Sequence, residues 1–307
     1  MSDPSYSSQA RVGFLYAVGG FLLWGLSPIF WKWLASVPAE QQLAHRVLWC
    51  AAVITAILLA RGRLRECLGV ISETRTLVTL LGTTLLIGGN WFCYIWAVAT
   101  DRILHASLGY FINPLVYVLL GVVFLGESLR PRQKISVFVA TIGVALMTWR
   151  LGTLPWLSLA LAGTFGLYGL LRKQVKAGPE QGLFLETWML VPPAAWYLLW
   201  LEPGTAAWGS SGWELNLLLM GTGVITATPL IWFTHGARRL ELSTVGILQY
   251  IAPTGQFLLA VLVYDEPFDQ VRALAFVFIW VALALFTHDL YRNLPEPTGA
   301  ADPRNDT

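Results

Sequence analysis

The chain has 307 residues, 56% of them hydrophobic and only 12% charged, with a formal net charge of +2. That charged share is about half the fraction usual in soluble globular domains, so the apolar excess cannot be hidden in one aqueous core. A polytopic membrane protein is the class that remains.

Apolar runs of roughly 20 residues cross a bilayer core as helices. In chain order they are Val12–Leu34, Gln41–Ala60, Thr76–Ala99, Ile103–Gly126, Gln133–Trp149, Leu154–Leu171, Gly182–Leu201, Leu215–His235, Leu242–Tyr264 and Val271–Thr287. The fifth and tenth are short, so Lys134 and Arg272 at their margins must snorkel to water. A β-barrel would instead show ten-residue segments of alternating polarity. The expected fold class is therefore an all-α polytopic membrane protein with ten transmembrane helices. Its polar ends, residues 1–10 and 295–307, read as unstructured tails, and its longest connections are Arg61–Arg75 and Glu202–Glu214. The first apolar segment reads as a retained helix, because it is long and more spans follow it. Cys50, Cys67 and Cys93 form no CxxC pair, and a disulfide framework, a zinc site or any other cofactor is not expected.

With the N-terminus inside, fifteen of the twenty Lys and Arg residues fall in cytoplasmic segments. Lys32, Arg102, Arg150 and Arg272 fall on the other side, and Arg46 lies within the second span. The positive-inside rule then places both termini in the cytoplasm. An offset of 139 residues puts Phe111 on Tyr250, Ile112 on Ile251, Pro114 on Pro253 and Glu127 on Glu266. An offset of 141 puts Gly25 on Gly166, Lys32 on Lys173 and Pro38 on Pro179. The chain thus divides into two five-span copies, residues 11–150 and 151–290, flanked by tails 1–10 and 291–307. Five is odd, so the second copy enters the membrane inverted, the arrangement from which many secondary transporters build two gates around a midplane site.

Ten spans in inverted halves, His45–Arg46 in the second span, Asn90–Trp91, "GYFINPL" at Gly109–Leu115, the "GE" after the fourth span and "LQYIAPT" at Leu248–Thr254 resemble the RarD group of the EamA-type drug/metabolite transporters. The resemblance covers about residues 11–290. It implies a bacterial inner-membrane exporter of small metabolites or drugs, run on proton exchange, in a group whose name is linked to chloramphenicol sensitivity.

Polar groups inside spans carry the candidate site, since an unpaired amide or hydroxyl in hydrocarbon costs several kcal/mol. Tyr110, Asn113, Gln249 and Tyr250 recur before matched prolines, and either line a cavity or bond neighbouring helices. Pro114 and Pro253 free the carbonyls of Tyr110 and Gln249, which points to hinges or substrate contacts, or to tolerated kinks. Asn90, Trp91, Tyr94 and Trp232 mix aromatic faces with hydrogen-bonding groups, a mixture suited to amphipathic solutes, although interfacial belts also use Trp. His45 and Glu186, matched by the 141 offset, are candidates for proton coupling, and Arg46 for an anion contact or a carboxylate partner. All three could instead be interfacial anchors. Gly163, Gly166 and Gly169 read as a helix-packing face. Glu127 in "GVVFLGES" stands where a phosphate-binding loop needs lysine, and reads as a helix end paired with Arg130 and Arg132.

These readings point to a secondary transporter with a small-molecule substrate, protons as coupling ion and the lipid bilayer as surroundings. No nucleic-acid partner is expected, and a homodimer is compatible with the sequence. A passive facilitator or an intramembrane enzyme are the alternatives, the latter weakened by the lack of HExxH or of paired intramembrane carboxylates.

Overall fold

The computed structural model describes residues 4–100, 102–151, 155–201, 206–209, 212–264 and 270–292. These form helices α1 Pro4–Trp33, α2 Ala39–Ala60, α3 Leu64–Ser72, α4 Thr74–Ala99, α5 Ile103–Leu125 and α6 Pro131–Leu151, then α7 Trp156–Gln174, α8 Pro179–Leu199, α9 Trp213–Ala237, α10 Leu242–Leu248, α11 Ile251–Leu262 and α12 Gln270–Arg292. No strand occurs among the described residues. Among the described residues seven stretches are long and apolar enough to span a bilayer, one of them the α10–α11 run Leu242–Leu262.

The outer surface explains the composition. Leu85, Phe138 and Leu199 are 75%, 66% and 83% exposed, and a soluble monomer rarely shows so much apolar surface. Lipid contact removes that cost.

Three expectations need correction. The N-terminal tail is helical from Pro4, continuous with α1. The Arg61–Arg75 connection contains α3, whose apolar face the hydropathy of a 20-residue window dilutes. The Leu242–Tyr264 span is two helices, because Pro253 has no N–H to give the Gln249 carbonyl. Around that break the chain tightens to i−3 hydrogen bonds: Gln249 N to Gly246 O at 3.1 Å, Tyr250 N to Ile247 O at 3.2 Å and Ala252 N to Gln249 O at 3.1 Å. Pro114, its counterpart, stays inside an unbroken α5. The C-terminal tail 295–307, Glu266 and part of the Glu202–Glu214 connection lie outside the described residues.

Helix α6 packs on α12, α5 on α7 and α10, α1 on α9 and α11, α2 on α8 and α9, and α4 on α7 and α8. Small residues set the closest crossings. A Cβ on Gly25 would lie 3.4 Å from the Cα of Gly255, joining α1 to α11, and one on Gly166 would lie 2.6 Å from Val116 Cγ1, joining α7 to α5. Both partners of the first crossing match those of the second under the offsets read from sequence. Gly169 likewise admits the Tyr117 ring, whereas Gly163 has nothing within 4 Å. The three cysteines are free, with Cys50 and Cys67 buried.

Candidate functional site

Helices α1, α2, α4, α5, α7, α9 and α11 enclose a cavity of about 660 Å³, within the range of small-molecule sites. Its mouth lies between the C-terminal end of α1 and the N-terminal end of α2, where Trp31, Lys32, Ala35, Ala39 and Gln42 line it. Arg46, Asn90, Trp91, Tyr94, Tyr110, Asn113, Gln249 and Pro253 line its walls. Eight residues singled out from sequence therefore share one cavity.

Trp24 and Phe165, which match under the 141 offset, meet in the lining with ring centroids 5.9 Å apart and edge to face. Most lining amides are tethered. Asn90 Nδ2 donates to Leu161 O and to Thr164 Oγ1, both at 2.9 Å. Gln42 Nε2 donates to the carbonyls of Leu34 and Val37 at 2.9 Å, and Gln256 Nε2 to Trp24 O at 3.2 Å. By contrast Asn113 Oδ1 and Gln249 Oε1 are buried without a hydrogen-bond partner. The Arg46 guanidinium sits 4.4 Å from the Trp91 ring centre and 5.6 Å from that of Trp31, and its Nε is also unpartnered. A cation over an aromatic ring keeps its N–H groups free for an acceptor.

Five residues singled out from sequence lie elsewhere. Tyr250 is wholly buried and donates its hydroxyl to Phe111 O at 3.2 Å, so it joins α10–α11 to α5 and does not line the cavity. Trp232 lies against Gly19 and packs edge to face with Tyr16 on α1. Pro114 is also outside the lining, behind Asn113, with its carbonyl against Gly246 of α10. His45 stacks on Trp208 at 5.8 Å in a separate apolar pocket on the outer side of α2. Glu186 is 1% exposed and accepts hydrogen bonds from Thr83 Oγ1 at 2.6 Å and Tyr168 Oη at 3.2 Å. His45 and Glu186 therefore have unlike surroundings despite their sequence match.

Residues that sequence reasoning did not select are Trp24, Ser27, Trp31, Lys32, Gln42, Phe165 and Gln256. The signal for the aromatic pair was present in the 141 offset. Gln256 was legible as one helical turn beyond Pro253. Lys32 was counted only for its charge; its Nζ lies 3.2 Å from the Tyr264 ring centre.

The other end of the bundle is closed by charged groups bound to backbone. Glu127 turns back after Gly126, whose φ of 67° suits glycine, and accepts from the N–H groups of Leu242 at 2.5 Å and Ser243 at 2.9 Å. The carboxylate thus caps α10 and does not pair with Arg130, which bonds Asp289 at 2.7 Å. Lys173 Nζ donates to the carbonyls of Ala237 and Leu240, and Arg238 to those of Val175 and Ala177. The fully buried Arg172 donates to Pro179 O at 3.0 Å and comes within 3.5 Å of Glu186, an ion pair by distance without hydrogen-bond alignment. Glu180 meets Arg61 at 3.2 Å and His235 at 3.5 Å. At the surface Lys176 binds Glu73 at 2.8 Å, and this hydrogen bond, with one from Thr76, holds the Glu73 carboxyl below its usual range.

Comparison with known proteins agrees with this architecture. Residues 11–149 match the EamA-like transporter family. An "uncharacterized transporter" of Vibrio cholerae is 46% identical over 92% of this chain and 93% of its own. Protein RarD of Escherichia coli K12 is 42% identical over 92% of this chain and 96% of its own. A "chloramphenicol-sensitive protein RarD" of Pseudomonas aeruginosa is 31% identical over 92% and 95%, respectively. A solved crystal structure, 22% identical, superposes over 93% of this chain and 98% of its own with a TM-score of 0.69, a likeness of fold.

Proposed function

Because the chain belongs to the RarD group of EamA-like transporters, we propose that it is a secondary active exporter of a small metabolite or drug-like solute, working by alternating access and not as an enzyme. The observation that carries this reading is a solute-sized cavity open at one end of the bundle and closed at the other by Glu127, Lys173, Arg172 and Arg238.

The symmetry of the helix pairing supports two inverted five-span repeats. With α3 left at the surface and α10–α11 counted as one span, α1, α2, α4, α5 and α6 correspond to α7, α8, α9, α10–α11 and α12. The pairs α1 with α9, α2 with α9 and α5 with α7 then map onto α7 with α4, α8 with α4 and α11 with α1. The remaining pairs, α2 with α8, α5 with α10 and α6 with α12, map onto themselves. Equivalent helices facing each other across an axis in the membrane plane is the geometry of alternating access. Lys32 and Lys173 are equivalent; one stands at the open mouth and the other locks the closed end.

The distribution of Lys and Arg puts the closed end in the cytoplasm of a bacterial inner-membrane protein, so the structure corresponds to an outward-facing state. For proton exchange the better candidate is Glu186, an intramembrane carboxylate whose charge has a single buried ion-pair partner, Arg172. His45 faces a separate pocket.

Proteoliposome flux tests the reading, with labelled chloramphenicol as first probe because of the relative that carries its name. Accumulation against its gradient under an imposed pH gradient supports secondary transport. Flux indifferent to that gradient supports a facilitator, and absence of flux for chloramphenicol and a metabolite panel overturns the assignment.

A further inference from the structure

The described residues that line the cavity include two cations, Lys32 and Arg46, and no Asp or Glu. Among the described residues no carboxylate pairs with either cation. A guanidinium inside a membrane domain loses hydration, a cost that a counter-charge would offset. It lies over the rings of Trp31 and Trp91, contacts that use none of its N–H groups, and the group that matches a guanidinium edge with two parallel hydrogen bonds is a carboxylate. Beyond it the walls are flat and apolar, with Trp24 and Phe165 edge to face, while Asn113 and Gln249 hold unspent amide oxygens.

We propose that the solute is an organic anion: a carboxylate docked on Arg46 and drawn in past Lys32, with an aromatic or similarly flat body against Trp24 and Phe165. The inference rests on reading this cavity as the transport site. Electrostatics choose between solute classes, because two uncompensated positive charges disfavour an amine and a neutral solute leaves Arg46 without its counter-charge.

Phenylacetate, phenylacetamide and phenethylamine share a ring and differ in charge, so their binding to purified protein in nanodiscs, followed by calorimetry, isolates the charge term. The acid should bind at least about tenfold more tightly than the amide, and the amine most weakly. Arg46→Gln should bring the acid-to-amide ratio near one, while Arg46→Lys keeps a preference for the acid. The wild-type ratio tests the proposal even if a variant misfolds. Equal or tighter binding of amide or amine, no saturable binding of the acid, or a preference that survives Arg46→Gln overturns it. Failure of the transport reading gives a different result: the acid is preferred in binding, yet labelled phenylacetate shows no counterflow in proteoliposomes.

Discussion

Tyr250 gives its hydroxyl hydrogen to the backbone carbonyl of Phe111 at 3.2 Å, and the two residues stand 139 positions apart, the offset at which the two halves of the chain match. Equivalent residues thus bond one another, as expected beside an axis relating the halves. Tyr250→Phe should cost about 1 kcal/mol, read as a lower unfolding temperature in detergent, and should leave the half-saturation concentration for transport unchanged, since Tyr250 does not line the cavity. An unchanged melting temperature would mean the bond contributes nothing.

Asn113 and Gln249 are 3% and 6% exposed and hold amide oxygens without partners in the same cavity. Asn113→Ala and Gln249→Ala should each raise the half-saturation concentration roughly 2- to 10-fold, the worth of one net hydrogen bond, with little loss of folded protein. Leu119→Ala serves as the control, because Leu119 is 60% exposed at the lipid-facing surface and touches no solute. If the amide variants behave like Leu119→Ala, these groups take no part in binding.

Arg172 and Glu186 are both buried, so removing one partner strands a charge. Arg172→Met should lower stability by about 3–5 kcal/mol, and adding Glu186→Leu should recover most of it, because an apolar pair is tolerated where a single buried charge is not. Thermal unfolding of the single and double variants checks this. Equal loss in both would show that packing around the side chains, and not their charge, sets the cost.

Glu186 and His45 separate in the same assay. Glu186→Gln should flatten the dependence of flux on an imposed pH gradient, whereas His45→Ala should keep the wild-type profile, because His45 stacks on Trp208 outside the cavity. The reverse result would return the coupling role to His45.

Much of this arrangement was legible in the sequence, for reasons of scale. Hydropathy finds helices because burial in lipid acts on twenty residues at once, and the matched prolines pointed to Asn113 and Gln249 in the lining, although only Pro253 goes with a broken helix. Side-chain direction was less legible: Tyr110 and Tyr250 both sit beside polar groups before a proline, yet one lines the cavity and the other is sealed between helices. Rotation of a helix about its axis is set by its neighbours and leaves no mark in its own composition. Contacts distant in sequence were hidden for the same reason, as Glu127 shows by capping α10 more than a hundred residues away.

Alternating access requires that one cavity open to one side at a time, which two-sided cysteine accessibility measures. In a cysteine-free background, Tyr110→Cys in the cavity and Ser243→Cys behind the Glu127 cap are exposed to an impermeant thiol reagent from the periplasmic or the cytoplasmic face. Tyr110→Cys should label from the periplasmic face, and Ser243→Cys, fully buried here, should resist from both. Glu127→Gln, by weakening a cap worth about 1 kcal/mol, should raise labelling of Ser243→Cys from the cytoplasm roughly fivefold and slow Tyr110→Cys only slightly, because the outward state still dominates. Labelling of Tyr110→Cys at equal rates from both faces, or rates at both sites untouched by Glu127→Gln, would contradict alternating access through this cavity.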